Sequence, residues 1–226
     1  MKNKTSELTL PGKLLARSIQ YPNEIALREK KKGIWEETTW TEYREWVESM
    51  ALAFREIGIN ENDHLSILSD NCREWVIGDL ATQTLGARSV GIYPTNPPED
   101  VAYILKHSQS KVVICEDQEQ VDKVIEVREE TPSLMHVIVI DPKGMRNLDD
   151  DRLKTWESIE KRGRELFKEE SDFLNKRVSL LDPEVCCMVI YTSGTTGQPK
   201  GAMLSGRNVT VAADGVFEEV KMGPQD

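Results

Sequence analysis

Apolar residues recur at three- and four-residue steps from Tyr43 to Ile57, a spacing that predicts an amphipathic helix. Thr39 or Thr41, followed by Glu42, can cap the start of this helix, and Gly58 marks its end. The segment therefore contributes one helix with a single buried face.

Two β-rich stretches precede that helix. Ile25 to Arg28 and Ile34 to Trp40 are separated by a lysine-rich turn at Gly33, which predicts a β-hairpin. Apolar positions between Leu14 and Ile19 predict a short opening helix before the hairpin.

After Gly58 the pattern alternates between short β-rich runs and helical ones. The predicted strands are His64 to Leu68, Arg88 to Tyr93, Lys111 to Cys115, His136 to Ile140 and Val185 to Tyr191. The predicted helices are Arg73 to Leu85, Glu99 to His107 and Gln118 to Glu130. Repeated βαβ units with strands apolar on both faces predict an α/β fold, an open and mostly parallel sheet with helices on both faces.

We expect two regions along the chain. Residues 1–60 hold the opening helix, the hairpin and the amphipathic helix, and residues 61–226 form the α/β subdomain. Residues 141–176 are highly charged, so we interpret them as a surface insertion with one solvated helix, in which the acidic run Asp149 to Asp151 is simply solvated. The turn-rich end at 221–226 suggests a truncated chain or gene fragment, or else a naturally short protein.

Composition narrows the function classes. The chain has 39 Asp and Glu residues and 29 Lys and Arg residues, which gives a net charge of −10. This negative charge disfavours nucleic acid and anionic lipid surfaces as partners. The four cysteines show no C-x-x-C spacing, which is typical of a reducing, cytoplasmic setting. The longest apolar run, Val185 to Tyr191, is too short to span a bilayer, so any membrane contact is expected to be peripheral. Composition carries no information on the oligomeric state.

The segment from Tyr191 to Gly201 has the chemistry of a phosphate-binding loop, which needs converging donors, a bare backbone and a positive charge. Thr192, Ser193, Thr195 and Thr196 supply hydroxyl groups, Gly194 and Gly197 permit positive φ, and Lys200 supplies the charge. Pro199 disfavours an immediate helix, and the loop follows a strand directly, where ligands of open α/β sheets gather.

Other loop types fit less well. The common P-loop requires a Ser or Thr after its lysine, whereas Lys200 is followed by glycine, and no G-x-G-x-x-G is present. A plain surface turn also contains Ser, Thr, Gly and Pro, but the order of these residues at a strand exit favours a phosphate site.

The segment from Tyr191 to Gly201 resembles the signature of the AMP-forming, adenylate-forming superfamily, which contains acyl-CoA synthetases, luciferases and adenylation domains. The stretches 35–40, 69–75 and 91–99 resemble its long-chain fatty acyl-CoA synthetase branch. The resemblance implies that the chain is an incomplete N-terminal part of the large domain of such an enzyme.

This resemblance implies a long-chain fatty acid:CoA ligase that uses ATP, Mg²⁺ and coenzyme A as co-substrate. The loop residues that would hold the β- and γ-phosphates are Thr192, Ser193, Gly194, Thr195, Thr196, Gly197 and Lys200. The adenine-contacting segment, the magnesium-binding glutamate, the ribose-binding aspartate and the catalytic lysine of the family would all lie beyond Asp226. We therefore expect no catalytic residue within these 226 residues, and no complete reaction by this chain alone.

One position departs from the family pattern. Many relatives have a histidine after the serine that closes this region, whereas here Ser205 is followed by Gly206 and Arg207. This chain therefore lacks that histidine at the matching position.

The remaining candidate residues are interpreted as structural. His64, His107 and His136 lack ligand spacing, so no metal site is predicted. Cys72 precedes a helix, which could lower its pKa, but a buried, inert thiol is commoner. The tryptophans Trp35, Trp40, Trp46 and Trp75 are assigned to the core and not to an acyl channel.

Two alternatives stay open at this point. Another carboxylate-adenylating ligase, for a short-chain or aryl acid, would carry the same loop. A non-catalytic nucleotide-binding module would need the loop but none of the downstream residues.

Overall fold

The computed structural model describes residues 6–145, 150–192 and 197–220. Its helices are α1 Leu10–Gln20, α2 Trp40–Glu56, α3 Arg73–Thr84, α4 Pro98–Ser108, α5 Gln118–Glu126, α6 Trp156–Glu169, α7 Phe173–Val178 and α8 Gly206–Val220. Its strands are β1 Ile25–Lys31, β2 Ile34–Thr39, β3 His64–Leu68, β4 Arg88–Ile92, β5 Val112–Cys115, β6 His136–Val139, β7 Leu153–Thr155, β8 Cys186–Thr192 and β9 Lys200–Ser205. Short 3₁₀ turns cover Ser6–Leu8 and Arg128–Glu130.

Helix α2 begins and ends where its sequence predicts. The Thr39 hydroxyl accepts from the Glu42 backbone N–H at 3.2 Å, and the Glu42 carboxylate accepts from the Thr39 N–H at 2.8 Å, which completes a capping box. Gly58 follows the helix with φ of +98°, a conformation that favours glycine. The hairpin β1–β2 ahead of the helix is confirmed as an antiparallel pair.

The larger sheet has the order β7-β6-β5-β3-β4-β8-β9, and only β9 runs antiparallel to its neighbour. One face is covered by α2, α3 and α6, and the other by α4 and α5. The predicted α/β class, with a mostly parallel sheet between helices, is confirmed. Helix α2 shares one hydrophobic core with β3 and α3, so residues on both sides of position 60 pack together.

The charged region 141–176 differs from the solvated helix expected there. Trp156, Ile159 and Gly163 on α6 are buried, and the helix packs against α2. Its charged side chains occupy the outer face, as Arg162 does where it pairs with Glu56 at 2.6 Å. The many charged residues of this region made the narrow apolar stripe of α6 hard to recognise in the sequence. Residues 146–149, including Asp149 of the acidic run, lie outside the described residues.

Trp35 does not belong to the core. Its side chain is 60% exposed on the small hairpin, whereas Trp40, Trp46 and Trp75 pack partly buried against the core. The prediction was wrong for Trp35 because the hairpin is a separate two-stranded sheet, on which the Trp35 ring lies at the surface with Nζ of Lys30 5.8 Å from its centre.

Candidate functional site

The candidate loop connects two paired strands. Strand β8 is parallel to β4 on one side and antiparallel to β9 on the other, and the pairing continues to the last residues before the loop. Thr192 stands opposite Lys200, and Tyr191 stands opposite Gly201. The loop of residues 193–199 is therefore a hairpin connection beyond the carboxyl end of β8, the end of the sheet where ligands are expected.

The structure describes three of the seven predicted phosphate-binding residues. Thr192 and Lys200 are both exposed at the two ends of the loop, and Gly197 is exposed with φ of +112°. The positive φ expected for Gly197 is thus confirmed, and a Cβ there would meet nothing within 4 Å. Four residues of the prediction lie outside the described residues: Ser193, Gly194, Thr195 and Thr196.

As predicted, Pro199 is not followed directly by a helix. Lys200 instead starts β9, and α8 begins only at Gly206. Among the described residues Lys200 makes no ion pair. Its ammonium group therefore forms no ion pair with a carboxylate in that part of the chain, and it can bind an anion at the loop.

Three rings from two elements meet beside the loop. The Tyr191 hydroxyl lies 2.7 Å from Nδ1 of His107 on α4. Tyr103, one helical turn earlier, stacks on the His107 ring at 5.4 Å and meets the Tyr191 ring edge-on at 6.4 Å. Burial, with a smaller effect from Tyr103, raises the pKa of Tyr191 to about 12, so its phenol stays protonated at neutral pH.

The contact between Tyr191 and His107 was not predicted from the sequence. The sequence assigned His107 a structural role, and its contact with Tyr191, the residue that opens the loop, was not foreseen. The available signal was weak: Tyr103 and His107 are four residues apart on a predicted helix and so share one face. Their partner lies 84 positions from His107, a separation that no local pattern covers.

Gly201 closes the loop on the other strand, and its lack of a side chain has a visible cause. A Cβ at this position would lie 2.9 Å from Cγ1 of Val189 and 3.3 Å from Cζ of Tyr191. The Val189 side chain and the Tyr191 ring therefore together occupy the space that a side chain at Gly201 would need.

The neighbouring strand β4 ends at the same edge of the sheet. Tyr93, directly after it, is 66% exposed, and the next carbonyl, that of Pro94, accepts from Lys123 Nζ at 2.6 Å. The stretch 91–99, which resembles the fatty acyl-CoA synthetase branch, thus emerges one strand away from the candidate loop.

Gly206 occupies the position at which the family resemblance led us to expect a histidine. A Cβ there would lie 3.1 Å from the carbonyl oxygen of Leu8 and 3.3 Å from Cγ2 of Thr9, so the N-terminal segment packs closely on this glycine. Ser205 and Asn208 cap the start of α8, since the Ser205 hydroxyl accepts from the Asn208 N–H at 3.2 Å. The departure is therefore part of the packing between the two ends of the described chain.

Cysteine chemistry is disfavoured. Burial raises the pKa of Cys72, Cys115 and Cys187, the last to about 12, which keeps these thiols protonated near neutral pH. The alternative in which the helix start lowers the pKa of Cys72 is contradicted by this direction.

The three described ranges lack a clustered metal site and a membrane-spanning helix. They contain no group of three or more His, Cys, Asp or Glu side chains that could hold a metal ion. None of their helices combines the length and the apolar character needed to cross a bilayer.

The family model described as AMP-binding enzyme matches residues 15–226. The long-chain-fatty-acid–CoA ligase ACSBG2 of Xenopus laevis is 31% identical over 203 residues, which cover 90% of this chain and 27% of that protein. The corresponding ligase ACSBG1 of Rattus norvegicus is 32% identical over 197 residues, covering 86% of this chain and 26% of that protein. The chain thus spans about a quarter of the length of these curated relatives.

The fold is shared with solved structures of lower sequence identity. A crystal structure of a long-chain-fatty-acid–CoA ligase from Archaeoglobus fulgidus superposes with a TM-score of 0.75 at 18% identity, covering 95% of this chain and 40% of that one. Acetoacetyl-CoA synthetase from Streptomyces lividans gives a TM-score of 0.74 at 22% identity, covering 95% and 33% of the two chains.

Proposed function

Because the chain belongs to the AMP-binding enzyme family, we propose that it supplies the phosphate-binding region of a long-chain fatty acid:CoA ligase. The observation that carries this proposal is the β8–β9 hairpin, which sets Thr192 opposite Lys200 at the carboxyl edge of the sheet with the signature loop between them. The choice of a long-chain acid rests on the relatives with about 30% identity.

The proposed reaction has two steps. The fatty carboxylate attacks the α-phosphorus of ATP, so that an acyl-adenylate forms and pyrophosphate leaves, and the thiol of coenzyme A then displaces AMP. This chain acts on the leaving group: Lys200 and the loop donors stabilise the negative charge that grows on the β- and γ-phosphates. The bare backbone at Gly197 lets the chain approach the phosphates closely.

Reactions at ATP phosphates ordinarily use Mg²⁺. The described residues contain no group of three or more His, Cys, Asp or Glu side chains. Because Mg²⁺ is commonly held by one or two carboxylates together with waters and the phosphates themselves, no residue of this chain is assigned to the ion.

The loop can be tested directly on the 226-residue chain. We expect pyrophosphate to bind, and Lys200→Ala to weaken its affinity about 10- to 100-fold, because a charged donor to a phosphate is lost. Isothermal titration calorimetry measures the affinity. Lys161→Ala, which removes an equal charge from the exposed face of α6, is the matched control and should leave the affinity unchanged.

The acid can be tested with the full natural polypeptide that contains these residues. ATP–pyrophosphate exchange in the presence of palmitate, and little exchange with acetate or benzoate, is the expected result. Exchange only with acetate or benzoate would contradict the long-chain assignment. Pyrophosphate binding without exchange for any acid would favour a non-catalytic nucleotide-binding module.

A further inference from the structure

The ends of the candidate loop are set by the strand pair that precedes them. Tyr191 on β8 and Gly201 on β9 face each other. Thr192 directly follows Tyr191, and Lys200 directly precedes Gly201. Adjacent Cα atoms are about 3.8 Å apart, so any shift of that pair moves both loop ends by a similar amount. Donors that converge on one anion tolerate little displacement, because hydrogen bonds weaken steeply with distance and angle.

The Tyr191 side chain is held from both sides. On one side its hydroxyl meets His107 and its ring meets the edge of Tyr103. On the other side its ring covers Gly201 on β9, where the missing side chain leaves room for it. Tyr191 is only 7% exposed, so the ring has one packed position and not several.

We propose that Tyr103 and His107 on α4 are positioning residues for the phosphate loop, acting through Tyr191. Together these three residues form an aromatic clamp that joins α4, β8 and β9 and fixes the spacing at the mouth of the loop. The clamp touches no phosphate itself; it determines where Thr192 and Lys200 stand. This inference rests on the proposed phosphate-binding function.

The hydrogen bond at the centre of the clamp can be tested by a double-mutant cycle. Tyr191→Phe and His107→Ala should each weaken pyrophosphate affinity about 3- to 10-fold, the range of one ordinary hydrogen bond. Because both variants break the same contact, the double variant should be no more than about twofold weaker than the stronger single one. His107→Asn keeps a polar atom near the position of Nδ1 and should restore most of the affinity.

A separate variant tests the contact between the Tyr103 and Tyr191 rings. Tyr103→Leu keeps an apolar side chain on α4 but removes the aromatic edge contact, and it should also weaken pyrophosphate binding. Tyr21→Phe is the matched control, since it removes a phenol that accepts from Gln20 Nε2 at 2.9 Å at the end of α1, away from the loop. The control should bind pyrophosphate as the unchanged chain does.

The outcomes separate the clamp from the phosphate site. If the unchanged chain fails to bind pyrophosphate, or if Lys200→Ala binds equally well, the phosphate site itself is refuted. If the unchanged chain binds, Lys200→Ala does not, and the clamp variants match Tyr21→Phe, only the clamp is refuted. Losses that multiply in the double variant, or a failure of His107→Asn to recover affinity, also overturn it. A thermal melt of each variant distinguishes lost positioning from lost folding.

Discussion

At the scale of single residues, Asp79 is a carboxyl group buried inside the fold. It is 4% exposed on α3, and one of its oxygens, Oδ1, accepts from Gln83 Nε2 at 2.8 Å and from Ser89 Oγ at 2.5 Å. Burial raises the pKa of this carboxyl group, although the two hydrogen bonds act in the opposite direction. The charged form of Asp79 is therefore costly in the folded chain.

The raised pKa of Asp79 predicts that the stability of the chain depends on pH. A carboxyl group whose pKa is raised by folding contributes stability that is fully present below its unfolded value, 3.8, and that is lost as pH rises through the folded value. Asp79→Asn cannot ionise and keeps an acceptor for both donors. The stability of this variant relative to the unchanged chain should therefore increase as pH rises from 4, as measured by urea denaturation at a series of pH values.

Asp79→Leu provides the comparison. It removes the acceptor and leaves two buried donors without a partner, so it should destabilise the chain by about 1–3 kcal/mol for each donor. A constant stability difference between Asp79→Asn and the unchanged chain at every pH would contradict the raised pKa.

At the scale of elements, α6 and α2 approach so closely that one position must be glycine. A Cβ on Gly163 would overlap the carbonyl oxygen of Ser49 and lie 2.7 Å from its carbon. Both atoms belong to the backbone of α2, which cannot move aside as a side chain could. Gly163 is thus the contact point that allows α6 to cover α2.

Gly163→Ala should separate the two helices. We expect a loss of about 1–3 kcal/mol from overpacking, despite the higher helix propensity of alanine. Gly215→Ala on α8 is the matched control, because a Cβ there meets nothing within 4 Å, and it should be neutral or stabilise by up to about 1 kcal/mol. Urea denaturation measures both. Equal effects of the two substitutions would contradict the close approach at Gly163.

The same elements show the limits of sequence reading. Trp156, Ile159 and Gly163 follow a helical spacing that predicts one buried face, but the many charges of residues 141–176 favoured a solvated helix. Strand β9 was not predicted, because its exposed residues depend on pairing with β8 and carry little pattern of their own. Strands β3 to β6 were predicted within one residue, since most of their positions are buried and form short β-rich runs between helical patterns.

At the scale of the whole molecule, apolar side chains divide into two populations. Phe54 and its neighbours on α2 are fully buried, whereas Phe217 and Val220 on α8 are 56% and 61% exposed. Val211 and Val216 on the same helix are exposed to a similar extent. Helix α8 therefore contributes much less to the stability of the described chain than α2 does.

Two phenylalanine substitutions should show this contrast. Phe54→Ala should cost about 3–5 kcal/mol, because it opens a cavity in the core. Phe217→Ser should change stability by no more than about 0.5 kcal/mol, because its side chain loses little packing. Thermal or urea denaturation measures both values, and a large destabilisation by Phe217→Ser would show that α8 is packed more tightly than its exposure indicates.

The sequence by itself determined the α/β class, the order of most helices and strands, and the residue types that make the segment from Thr192 to Lys200 a candidate phosphate loop. These features are local, because periodicity, capping residues and turn residues act over a few positions. The tertiary structure alone decided that Thr192 stands opposite Lys200, that α6 is buried on α2, and that His107 reaches Tyr191. Each of these depends on contacts between distant segments, and which segments meet is set by the packing of the whole sheet and its helices.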